Sequence, residues 1–80
     1  MNQEQKNAII QIIQETLGIE TPEEITPDAE FIADLNSSTD EIKQIIDNAE
    51  DLLEVDIEVN QPLDSLTIGK FFEILEESLI

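Results

Sequence analysis

Ser37, Ser38 and Thr39 stand together in "DLNSSTDEI", Asp34 to Ile42, where an irregular stretch gives way to a periodic helical pattern. A hydroxyl at the first turn of a helix has two uses. Its oxygen can accept a hydrogen bond from a free backbone N–H and so cap the helix. It can also carry an attached anionic cofactor, because the unpaired N–H groups and the helix dipole favour negative charge there. The residue inventory removes most other chemistries. The chain has no cysteine and no histidine, hence no disulfide, no thiolate nucleophile, no thiolate or imidazole metal site, and no imidazole to move protons near neutral pH. What remains for acid/base work is a set of carboxylates expected on a wet surface, so the chain is not expected to be an enzyme.

Eighty residues hold one domain, residues 1–80, with one modest core and little room for a substrate cleft. Twenty acidic residues against three basic ones leave a formal charge of −17. Phosphate backbones and anionic lipid should repel such a chain, which makes nucleic acid and membrane poor partners. The absence of Trp and Tyr removes a stacking platform for bases. A basic surface on another protein would instead be attracted over some distance, and the same acidity would keep a small protein soluble and monomeric. No apolar run reaches membrane-spanning length, and the opening "MNQEQKNAII" lacks the basic-then-apolar layout of a secretion signal. A cytoplasmic protein is the expectation.

The elements that must position the hydroxyls follow from spacing. Ile9, Ile12, Ile13, Thr16 and Leu17 recur at helical intervals and Gly18 sits where a left-handed residue would close the helix, which predicts a first helix from about Gln3 to Leu17. Two Thr-Pro steps, at Thr21 and Thr26, then discourage one long helix. Thr21-Pro22-Glu23-Glu24 reads as a short capped turn, within a long loop that lends Ile25, Phe31, Ile32 and Leu35 to the core. From Ser38 onward Ile42, Ile45, Ile46, Ala49, Leu52 and Leu53 line one face of a second helix. "VDIEVNQPLDS" is read as a loop with one helical turn around Asn60 to Leu63, since the alternating Val55, Ile57 and Val59 would make a strand with no partner. Ile68, Phe71, Phe72, Leu75 and Leu79 define the last helix, capped by Ser65 or Thr67, with Gly69 as a tolerated weak point.

Several of these stretches, in this order, resemble the acyl carrier protein family. "LGIETPEEITPDAEFIADL" is similar to the family's first helix end and loop, with Leu17-Gly18-Ile19, Ile25, Phe31-Ile32 and Asp34-Leu35 in sequence. "LLEVDIE" is similar to the end of its second helix, and "LTIGKFFEILEE" to its last helix. The match spans nearly the whole chain and aligns without a gap from Leu17 to Leu75. It implies an all-α fold, a bundle of three longer helices plus one short one with a long loop between the first two. It also implies a role in presenting acyl groups to biosynthetic enzymes, as in fatty acid biosynthesis, on a 4'-phosphopantetheine arm. The acyl chain would rest beside Ile42, Ile45, Ile46, Phe71 and Leu75, and basic surfaces of acyl-processing enzymes would be the partners.

The attachment motif departs from the family. An Asp-Ser-Leu is expected at the start of the second helix, with the serine four residues after the Leu35 position. That count lands on Thr39, with Ser38 in the aspartate place and Asp40 in the leucine place. Thr39 carries its hydroxyl on a branched, stiffer carbon. Ser38 has the better hydroxyl, but its use shifts the motif by one residue and moves Gln44 and Asn48 to positions where the family buries leucines. The purely structural alternative is a capping box, Ser38-Thr39-Asp40-Glu41, in which the Ser38 hydroxyl and the Glu41 carboxylate each bond the other residue's N–H. The cap is the preferred interpretation; if a hydroxyl is modified, Ser38 is the first candidate for the arm and Thr39 the second.

Two further patterns are decoys. Asp64-Ser65-Leu66 spells the family tripeptide, but only one helix of chain follows it, so Ser65 is read as a helix cap. Asp34, Asn36, Ser38 and Asp40 alternate as in a calcium-binding EF-hand loop. Thr39, however, replaces the turn glycine and Ile45 the bidentate glutamate, so no metal ligand is assigned. The outer side of the second helix carries Glu41, Lys43, Gln44, Asp47, Glu50, Asp51 and Glu54, enough charge to steer a basic partner. A carrier-fold protein without the arm, acting as an acidic noncovalent adaptor, is therefore the alternative function.

Overall fold

Residues 1–79 are described by a computed structural model. Helix α1 runs Gln3–Leu17, α2 Thr39–Leu53 and α3 Ile68–Ser78, with 3-10 turns at Pro22–Glu24 and Leu63–Ser65. This is a small all-α bundle of three helices and short turns; among the described residues there is no strand.

Both ends of α1 and the start of α2 follow from local chemistry. The start of α1 is a capping box: the Asn2 side chain accepts from the Gln5 N–H at 2.8 Å, while the Gln5 side chain accepts from the Asn2 N–H at 3.1 Å. Its end is Gly18 at φ 71°, a left-handed residue whose N–H bonds the Gln14 carbonyl. The end of α2 uses the same geometry without glycine, since Glu54 sits at φ 56°. An α3 cap forms at Thr67, whose hydroxyl accepts from the Lys70 N–H at 3.1 Å. Ser65 is not that cap; its hydroxyl donates to the Pro62 carbonyl at 3.4 Å.

The turn expected at Asn60 to Leu63 lies at Leu63–Ser65 instead. Pro62 stands at φ −60° and ψ 134°, and proline also disfavours helical geometry in the residue before it, so the turn starts only beyond the ring. Around Pro22 the expected turn is present, but Thr21 makes no side-chain capping bond.

Helix α1 lies against α2, and the second 3-10 turn also meets α2. Helix α3 is fastened by the long first connection. The Phe31 N–H donates to the Leu66 carbonyl, the Ile68 N–H to Ala29 and the Gly69 N–H to Pro27, at 3.1, 2.9 and 2.9 Å. Two of the N–H groups that a helix start leaves unpaired are thus satisfied by the connection. This clasp explains Gly69, because a Cβ there would stand 3.0 Å from the Pro27 carbonyl oxygen.

The core closes around an edge-to-face pair, Phe31 from the connection and Phe71 from α3, with ring centroids 5.5 Å apart. Ile9, Ile13, Ile42, Ile45, Ala49, Leu66 and Leu75 are fully buried with them. Three positions depart from the helical stripes read in the sequence. Leu52 is 45% exposed at the edge of the α2 stripe, Leu79 lies outside the core, and Ile74, unassigned by spacing, is buried.

Candidate functional site

The Asp34–Glu41 corner is built by local hydrogen bonds. The Asp34 carboxylate accepts the Glu30 N–H at 2.8 Å, and the N–H groups of Asp34 and Leu35 both reach the Glu30 carbonyl. Asn36 then turns the chain at φ 57°, a conformation asparagine tolerates better than most residues. The Ser37 N–H donates to the Phe31 carbonyl at 2.9 Å, which pins the corner to the residue at the centre of the core.

The three hydroxyls separate into three environments. Ser37 is turned inward and buried, its hydroxyl donating to the Ser38 carbonyl at 2.9 Å. Ser38 is exposed and forms the expected capping box: its hydroxyl accepts from the Glu41 N–H at 3.2 Å, and its own N–H donates to the Glu41 carboxylate at 2.9 Å. Thr39 is exposed at the first position of α2, and its hydroxyl makes no side-chain hydrogen bond among the described residues. Ser38 and Thr39 are thus adjacent on the outside of a helix start, one engaged as a cap and the other unengaged. The count from Leu35 leads to Thr39, and the glutamate three residues beyond Ser38 is the sequence signal that sets Ser38 in the cap and leaves Thr39 outside it.

Ile42, Ile45, Phe71 and Leu75, named as neighbours of an acyl chain, have no exposed surface, and Ile46 is half-buried. An apolar groove of about 290 Å³ lies elsewhere, between α1, the connection and α3, with Ile10, Ile25, Ile68 and Phe72 in its wall. No residue of α2 lines it.

On the outer side of α2, Lys43, Gln44, Asp47, Asp51 and Glu54 are exposed as expected. Glu41 and Glu50 are drawn inward, because their carboxylates accept backbone N–H groups, Glu41 from Ser38 and Glu50 from Ile57 at 2.9 Å. Among the described residues Lys43 has no carboxylate within ion-pairing distance, and no group of three or more carboxylates is arranged to hold a metal ion. Asp34 and Ser38, two of the four alternating residues of the calcium-like pattern, are bonded to backbone N–H groups. No helix among the described residues is long and apolar enough to cross a membrane.

Comparisons with protein-family models, with curated proteins and with solved structures find no match to this chain.

Proposed function

We propose that the chain is an acyl-carrier-type protein, cytoplasmic and not itself an enzyme, which presents acyl groups to basic partner enzymes on a 4'-phosphopantetheine arm esterified to Ser38 or Thr39. The observation that carries this proposal is the pair of exposed hydroxyls at the N-terminus of α2, a fifteen-residue helix whose first N–H groups and dipole favour a phosphodiester. Either side chain fits the arm in position. Ser38 would keep its ester oxygen near the Glu41 N–H, and Thr39 would be modified without breaking a hydrogen bond. The arm, when present, supplies the thiol that holds the acyl group; the chain supplies a corner anchored on Phe31 and an acidic helix face for docking.

A second proposal, an acidic adaptor without the arm, is favoured by the completed capping box and by the full burial of Ile42 and Phe71, which offer no exposed surface to an acyl chain. One experiment separates the two. The chain is incubated with coenzyme A and a broad-specificity phosphopantetheinyl transferase and followed by intact mass and peptide mapping. A mass gain of one phosphopantetheine on Ser38 or Thr39 establishes the carrier. An unmodified chain, under conditions that fully modify a control carrier, refutes it and leaves the adaptor.

A further inference from the structure

We infer that the groove between α1, the connection and α3 is a second docking site, which takes an apolar side chain from a protein segment flanked by arginine or lysine. The inference does not depend on whether a hydroxyl is modified. The groove holds about 290 Å³ and is partly open to solvent. That places it at the bottom of the size range of ligand pockets, roughly 300 Å³ and upward, and suits an anchoring leucine or phenylalanine better than a whole cofactor. Ile10, Ile25, Pro27 and Phe72 give the anchor its apolar wall, and Lys6 and Glu76 also line it.

Charge decides the character of the partner. Exposed carboxylates flank the lining residues along the chain: Glu23 and Glu24 before Ile25, Asp28 after Pro27, Glu73 after Phe72, and Glu77 after Glu76. Lys6 is the one cationic side chain in the lining; the Met1 ammonium stands 3.9 Å from Glu76, and Lys70, nearby in sequence, is engaged with Glu73 at 3.6 Å. Two ammonium groups, on Lys6 and at the N-terminus, do not reverse the field of a molecule of net charge −17, so a cationic segment is drawn to the groove and an anionic ligand is repelled. Because no residue of α2 lines the groove, a partner seated here leaves the acidic face of α2 free, and two basic surfaces can be engaged at once.

The test is an NMR titration of the isotope-labelled full chain at about 0.15 M salt, where weak surface attraction is largely screened. Two synthetic helical peptides of equal positive charge are the probes, one with leucines along one face and one with alanines in their place. The leucine peptide is expected to give saturable shifts at Lys6, Ile10, Ile25, Gly69 and Phe72, and to bind about tenfold or more tightly than the alanine peptide. Glu76→Lys should weaken it about two- to fivefold and Lys6→Glu strengthen it by a similar factor, as expected for exposed charge pairs. Equal binding of both peptides, shifts centred on Lys43, Asp47 and Asp51, or no saturable shift at millimolar peptide would overturn the inference. So would binding of decanoate in the groove that Lys6→Glu abolishes, which would mark a site for a small anionic amphiphile.

Discussion

Replacing Ser38 by two different residues separates its structural role from its chemical one. Ser38→Ala removes the bond from the Glu41 N–H to the hydroxyl, 3.2 Å long, and leaves the reciprocal bond from the residue 38 N–H to the Glu41 carboxylate. The site is exposed, so water replaces part of what is lost, and the expected destabilisation is about 1 kcal/mol. Unfolding entropy of about 2.1 cal/mol/K per residue turns that into a melting temperature lower by about 6 °C for a chain of this length. Ser38→Asp keeps a side-chain acceptor at the cap and places a carboxylate at the positive end of α2, against some repulsion from Asp40 and Glu41. It should remain within about 0.5 kcal/mol of the parent chain. The assay is thermal unfolding followed by circular dichroism at several scan rates. If alanine leaves the transition unmoved, or aspartate lowers it as far as alanine does, the capping box does not contribute as described. Neither variant has a hydroxyl at residue 38. A phosphopantetheine mass gain that persists in the well-folded aspartate variant therefore assigns the arm to Thr39, and its loss there assigns it to Ser38.

Three further outcomes follow from the fold. Gly69→Ala should destabilise by about 1–2 kcal/mol in denaturant unfolding, because the gain in helix propensity is outweighed by a Cβ placed 3.0 Å from the Pro27 carbonyl that Gly69 itself bonds; a neutral or stabilising effect would show that the connection yields freely. Glu54→Gly should stabilise by about 1 kcal/mol in the same assay, since residue 54 sits at φ 56° and the substitution also removes a carboxylate from the negative end of α2; a loss of stability would refute this. Raising salt from about 0.01 M to about 0.15 M should raise the melting temperature by several degrees, because the screening length falls from about 30 Å to about 8 Å. At the lower salt that length matches the longest dimension of the molecule, 30 Å, so carboxylates on all sides repel one another; an unchanged or lower melting temperature would show that self-repulsion is negligible.

The sequence alone determined the helices, the acidic character and the start of α2. Helical spacing and end chemistry act within a few residues, so Gly18 closing α1, the Ser38–Glu41 box opening α2 and the limits of α1 were all legible before any coordinates. It was less decisive where a choice depended on distant parts of the chain. Ser65 and Thr67 are equally plausible caps by type, and only the clasp between the first connection and α3, which pairs Phe31 with Leu66 and Ile68 with Ala29, sets the helix start at Thr67. Gly69 reads as a weak point until the Pro27 carbonyl is found against it. Leu52 fits the α2 stripe by spacing yet faces solvent, because what covers an edge position depends on how neighbouring segments cross it. The same holds for the candidate site. The cap at Ser38 is a local matter, but the burial of Ser37 is not: the turn at Asn36 and the bond from the Ser37 N–H to the Phe31 carbonyl turn that hydroxyl inward, because side-chain orientation at a corner is set by the core to which the corner is tied.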